Sequence, residues 1–139
     1  MSRKKKTTTS KTTRRKSIRI PVDKPFADGT ISNSVFFSMI RSALRNKSRF
    51  WPSIKICRER ARLPYTGASK RRKWMYRCEM CDGTFPVEST VVHHTISCGA
   101  LSSFDDLPIF TKNLFCNSNL LQLLCNQCHT NLHENEKVK

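Results

Sequence analysis

The chain has 139 residues, seven cysteines and a net charge of +16, which fits one small domain with extensions. No apolar run approaches the roughly 20 residues of a membrane helix, and the N-terminus lacks the apolar stretch of a secretory signal. A membrane protein and a secreted one are therefore not expected. A core this small needs a staple, and in a reducing cytoplasm paired cysteines hold metal more often than they form disulfides.

The charge is segregated along the chain. Residues 1–34 carry ten Lys/Arg against two acids, and residues 35–77 carry thirteen against Glu59 alone. Residues 78–139 hold three basic and seven acidic groups, together with all four histidines and six of the seven cysteines. A basic half attracts a polyanion by displacing condensed counterions, which favours nucleic acid as partner. An anionic membrane surface is the weaker alternative, since no strongly amphipathic helix accompanies the charge.

Residues 1–20 are Thr/Ser/Lys/Arg-rich and nearly free of bulky apolar groups, a composition that cannot offset the entropy of ordering. Pro21, Pro25, Gly29 and Asn33 extend this arm as linker and turn. From Ser34 the pattern becomes helical, with Phe36, Phe37, Ile40, Ala43 and Leu44 on one side. Pro52 suits the first turn of a second helix through Ile54, Cys57 and Ala61, which Pro64 to Gly67 would end. These two helices are expected to form a basic hairpin. Its DNA-contacting residues would be Arg41, Arg45, Arg58 and Arg62, continued by Lys70, Arg71, Arg72 and Lys73. Trp74-Met75-Tyr76 then alternates like a strand entering the first cysteine pair.

Cys78-x2-Cys81 and Cys125-x2-Cys128 are the strongest signal in the chain. Each CxxC knuckle presents two thiolates to adjacent vertices of a tetrahedron, and two knuckles close a structural zinc site. A competing arrangement, a single zinc finger using Cys78, Cys81, His94 and Cys98, places Pro86 and β-branched Thr90, Val91 and Val92 where a helix is required. It also leaves Cys125, Cys128 and His129 unused. Cys57, Cys98 and Cys116 read as small core residues, and Ser103-x-x-Asp106 as an N-terminal capping box for a helix over Phe104 to Phe115.

His93 and His94 follow Val91-Val92, a short strand in which neighbouring side chains point to opposite faces. One can reach a metal while the other faces substrate. His129 and His133 lie four residues apart, and a helix from Asn126 onward would place them on one face.

A CxxC, a strand ending in two histidines, a loop, an Asn and then Leu-Cys-x2-Cys-His together resemble the HNH endonucleases of the ββα-metal fold. Phe36 through His133 is similar to small phage-type members, in Ile40-Arg41-Ser42-Ala43-Leu44-Arg45, Pro64-Tyr65-Thr66-Gly67, Arg71-Arg72-Lys73-Trp74 and Ser97-Cys98-Gly99-Ala100. The resemblance implies His94 as the general base that activates water. It implies His93 and His129 as ligands of a catalytic divalent ion, with His133 in the place of a further ligand, and Asn119 as the residue orienting the base. Asn119 stands one position earlier than the usual spacing before Cys125, with Leu120 in its slot and Asn117 as the fallback.

The expected architecture is α+β: a basic arm and linker over 1–33, a basic helical hairpin over 34–70, and a zinc-stapled, treble-clef-like ββα-metal domain over 71–139. The expected activity is metal-dependent hydrolysis of DNA, using a structural Zn²⁺ and a catalytic Mn²⁺, Ni²⁺, Co²⁺, Zn²⁺ or Mg²⁺. Imidazole ligands favour the transition metals over Mg²⁺. DNA is the expected partner, chiefly through its phosphates. A homodimer and phage packaging or replication proteins are further partners consistent with the resemblance, in a bacterial host cytoplasm. A non-catalytic zinc module binding nucleic acid is the alternative, and a ribosome- or assembly-associated basic zinc protein is a third reading that leaves the histidines unexplained.

Overall fold

The computed structural model describes residues 23–137, so the basic arm over 1–20 and the first two residues of the expected linker lie outside the described residues. Helix α1 (Asn33–Ser48) starts at Ser32, whose hydroxyl accepts the Val35 N–H and so satisfies one free donor of the first turn. Helix α2 (Pro52–Arg60) begins with proline in its first turn, where the missing N–H costs nothing. It ends sooner than the Pro64–Gly67 signal predicts. Arg62–Pro64 forms strand β1 instead, paired antiparallel with β2 (Trp74–Arg77), which pairs in turn with β3 (Thr84–Phe85).

Strands β4 (Thr90–His94) and β5 (Leu121–Cys125) form a separate antiparallel pair in which His93 faces Gln122 and His94 faces Leu121. Helix α3 (Leu107–Leu114) lies in the long excursion between them, and α4 (Asn126–Lys137) follows β5 directly. Two helices thus cover the β4–β5 pair from opposite sides. Val92, Leu121 and Leu123 on one face pack with Cys57, Ile54 and Ala61 of the α2 region. Leu124 on the other face packs with Cys78, Cys125, Cys128 and Leu132. A period of 2 in the strands separates the two small cores.

The third core joins α1 to α3, with Phe37, Cys98, Leu101, Phe110 and Leu114 buried together. The expected hairpin is therefore corrected: α1 finds its main partner in α3, and α2 in β5. The expected linker is corrected as well over its described part. Phe26 pairs with Ile31 and stacks on Phe36 with ring centroids 3.9 Å apart, so 23–33 folds back onto α1. Cys57, Cys98 and Cys116 are buried core residues. Asp106 is the residue before α3, but its carboxylate turns back to accept from Ser102 N–H, Ser102 Oγ and Ser103 N–H, all at 2.9 Å. Only the backward half of the expected box is present, and it tightens the turn before α3. No described helix is long and apolar enough to cross a membrane.

Candidate metal centres and the histidine cleft

The first knuckle leaves β2 at Arg77 and returns at β3. Cys78 N–H donates to Gly83 C=O at 2.8 Å and Asp82 N–H to Cys78 C=O at 3.0 Å. Asp82 sits at φ 57°, a left-handed conformation that Asp tolerates better than most side chains. A side chain at Gly83 would collide with the Phe85 ring, 2.7 Å from where its Cβ would stand, and crowd Cys81 Sγ at 3.3 Å. The second knuckle spans the junction of β5 and α4, where Cys128 N–H donates to Cys125 Sγ at 3.4 Å.

The sulfurs of Cys78, Cys81, Cys125 and Cys128 all lie within 4.8 Å of one another, with Cys81 and Cys125 at 4.0 Å. A tetrahedral zinc with Zn–S near 2.3 Å has sulfur–sulfur edges of about 3.8 Å, so the four fit one ion. Their acidities fit it too. Burial alone would push the Cys78 thiol up, but backbone N–H groups of Cys125, Cys81 and Met80 bring it down to about 7. Cys128 is pushed up to about 12, first by its contact with Cys125, then by burial and the sulfurs of Cys81 and Cys78. Sulfurs this close cannot all ionise alone; a divalent cation in their midst lets them. The single-finger arrangement is excluded, because Cys98 lies in the α1–α3 core and the supposed helix is strand β4.

The imidazoles form a second group. Nitrogens of His93, His129 and His133 lie within 4.8 Å of one another, with His129 Nε2 and His133 Nε2 at 3.1 Å. His129 and His133 share a face of α4, and His93 comes from the face of β4 that α4 covers. His133 Nδ1 meets Glu136 Oε2 at 3.2 Å, a carboxylate that steers the ring. The His93 pKa is lowered from its usual 6.5 by burial and then by the neighbouring His129 and His133. That of His129 is lowered by burial and then by His133. Both shifts favour the neutral imidazole, the form that ligates metal.

His94 lies on the opposite face of β4, and its Nε2 is 3.1 Å from the Leu114 carbonyl. A carbonyl only accepts, so Nε2 carries the proton and Nδ1 is left as the acceptor. Because His94 ends the strand, it still opens into the same space as His93. That cleft, about 500 Å³, is lined by all four histidines together with Arg45, Arg49 and Glu136.

The structure does not bring together the other predicted residues. Asn119 is exposed, in a single 3-10 turn over Ser118–Leu120, and does not line the cleft. Among the described residues neither its side chain nor that of Asn117 makes a hydrogen bond; the loop after His94 is held instead by Leu120 C=O, which accepts from Thr95 N–H and Oγ1. The turn leaves Asn119 facing solvent, and the carbonyl beside the His94 ring is that of Leu114. Of the predicted DNA contacts, only Arg45 lines the histidine cleft. Arg58 and Arg62 line a neighbouring hollow, and Arg41 lies near Asn33 and Ser102. Arg72 is paired with Glu88 at 2.8 Å, while Lys70, Arg71 and Lys73 are exposed.

Arg49 and Glu136 were legible in principle, four residues after Arg45 and three after His133, spacings that share a helix face. Arg60 was not. Its guanidinium pairs with Glu79 at 2.9 Å and donates to the carbonyls of Ser118 and Leu121, stapling α2 to the first knuckle and to β5. Compared with known proteins, the chain matches no family model, no curated sequence and no solved structure.

Proposed function

We propose that the protein is a metal-dependent DNA endonuclease of the HNH class, with the histidine cleft as its active site. The observation that carries this reading is the division of labour at the end of β4. His93 turns to His129 and His133, while His94, tethered through Nε2 to Leu114 and so left with Nδ1 as its acceptor, lines the same cleft.

His93 and His129, with His133 as a further ligand, would hold a divalent ion, which supplies Lewis-acid stabilisation to the scissile phosphate and the leaving 3′ oxygen. His94 Nδ1 takes a proton from water as the water oxygen bonds to phosphorus and the P–O3′ bond breaks, leaving a 5′-phosphate and a 3′ oxyanion that takes a proton from solvent to become the 3′-hydroxyl. Its Nε2–H···O=C bond fixes the tautomer and ring plane that this transfer needs. Arg45 and Arg49 provide positive charge on the cleft wall for the flanking phosphates. The cysteine cluster acts apart from the chemistry as the zinc staple on which β4, β5 and α4 are hung.

Cleavage of supercoiled plasmid tests this with the zinc-loaded protein and added Mn²⁺, Ni²⁺ or Mg²⁺. Cutting is expected with the transition metals above Mg²⁺, given the imidazole donors. Binding of DNA without cutting under any metal would instead establish a zinc-stapled nucleic-acid-binding module.

A further inference from the structure

A second hollow adjoins the histidine cleft, and its lining is of another kind. Arg49 belongs to both. From there the turn into α2 carries Phe50 and Trp51, and a space of about 400 Å³ continues over Ile54, Arg58, Arg62 and Tyr76. Phe50 is 80% exposed, more than any other large apolar side chain among the described residues. Trp51 is held in place: its Nε1–H donates to Cys116 C=O at 2.8 Å and its ring meets Phe115 edge-on at 5.4 Å. One ring is therefore free and the next is fixed. Around them stand Arg49, Lys55, Arg58 and Arg62 against a single acid, Glu59, which is itself 3.8 Å from Lys55.

An exposed phenylalanine gives up the free energy of burial, so its place beside an arginine-lined hollow calls for a flat apolar partner that carries negative charge. An unpaired nucleotide has both properties. Bases inside a duplex have their faces covered by neighbours, whereas an unpaired base can stack on an aromatic ring while its phosphates meet the cations. A second copy of this chain is a poor occupant, because it would bring the same cations to the same place.

We infer that this hollow receives an unpaired base, with Phe50 as its stacking platform and Arg49 passing the strand to the histidine cleft. The substrate is then DNA with single-stranded character, such as a flap, a bulge or a frayed end. This rests on the nucleic-acid part of the proposed function and is independent of the cleavage chemistry.

The test is equilibrium binding by the zinc-loaded full chain at fixed salt with no other divalent ion. The probes are an oligo(dT) strand, a blunt duplex, and the same duplex with one bulged nucleotide. Phe50→Leu keeps apolar bulk but removes the ring; Phe50→Trp keeps a ring. Phe50→Leu is expected to weaken binding of the strand and the bulge about 10-fold, leaving the blunt duplex within about 2-fold, while Phe50→Trp restores both. Equal loss on all probes, or loss on none, overturns the inference. So does a Phe50→Leu variant that binds DNA normally but sediments as a smaller species than wild type, which would make the hollow a contact between copies. If the expected pattern appears while wild type cuts under no metal, the endonuclease reading fails and this one stands. Failure of wild type to bind any probe overturns both.

Discussion

The cysteine and histidine clusters share helix α4, the first completed by the β2–β3 knuckle and the end of β5 and the second by β4, yet they differ in what surrounds them. Cys78 and Cys125 are buried beside Leu124, and four sulfurs leave no vertex of a tetrahedron open. The histidines line an open cleft, and three imidazoles leave positions for substrate and water. A closed sulfur site and an open nitrogen site are the respective hallmarks of structural and catalytic metal binding. Helix α4 serves both. Cys128 and Leu132 look toward the sulfur core, while His129 and His133, each one residue on, look toward the cleft. The sulfur cluster and the histidine cluster are thus separated by a single residue step on one helix.

That comparison is sharpest where one site is removed and the other read. Cys125→Ser is expected to abolish cooperative unfolding altogether. Structural zinc contributes roughly 10–16 kcal/mol of apparent binding energy in small domains, comparable with or above the roughly 5–15 kcal/mol that holds a domain folded. Circular dichroism melts with zinc content check it; a folded, zinc-free variant would break the assignment of that site as the staple.

His94→Ala is expected to leave the melt and the zinc content unchanged while cleavage falls by about 10²–10⁴-fold, the usual contribution of a positioned general base. Parallel losses of activity and stability would place His94 in the scaffold. Glu136→Gln should act on the histidine site alone, weakening its affinity for Co²⁺ about 10-fold through the freed His133 ring. Titration followed by the visible spectrum separates this from the sulfur site, whose thiolate bands should not move.

The smallest expected effect is on pH dependence, measured with zinc present and no second metal. The folded pKa values of His93 and His129 lie below 6.5, so as pH falls through 6.5 toward those values the unfolded chain binds protons that the folded one refuses. Stability from this source is present above about 6.5 and declines as pH drops through that window. His93→Gln removes one such group, so its Tm relative to wild type should rise as pH falls through the window. A difference independent of pH would mean that the rings are not held neutral by their surroundings.

Local signals in the sequence read well where the chemistry is itself local. The CxxC spacings, the Pro52 helix start and the strand before His93-His94 each depend on a few adjacent residues, and the corresponding elements are present. The spacing of His129 and His133 likewise needed only a helix. The sequence says less where a residue's surroundings depend on distant partners. Asn119 is polar and near the motif, but a 3-10 turn exposes it, and the carbonyl beside the His94 ring is that of Leu114. The arginines form one basic run in sequence, yet folding distributes them over several surfaces and engages Arg72 with Glu88 and Arg60 with Glu79. Arg62–Pro64 is too short to show a strand period; only β2 makes it one.

The sequence by itself determined which side chains could serve as metal ligands and how charge is divided, because thiol pairs, adjacent histidines and lysine or arginine runs carry their chemistry wherever they are placed. Tertiary structure decided that β4 presents its last two residues to opposite faces of a two-stranded sheet with both opening on one cleft, that α1 packs on α3, and that Phe50 stands uncovered beside Arg49. Those outcomes depend on which elements cover which faces, and burial is a property of the whole packed chain that no single segment encodes.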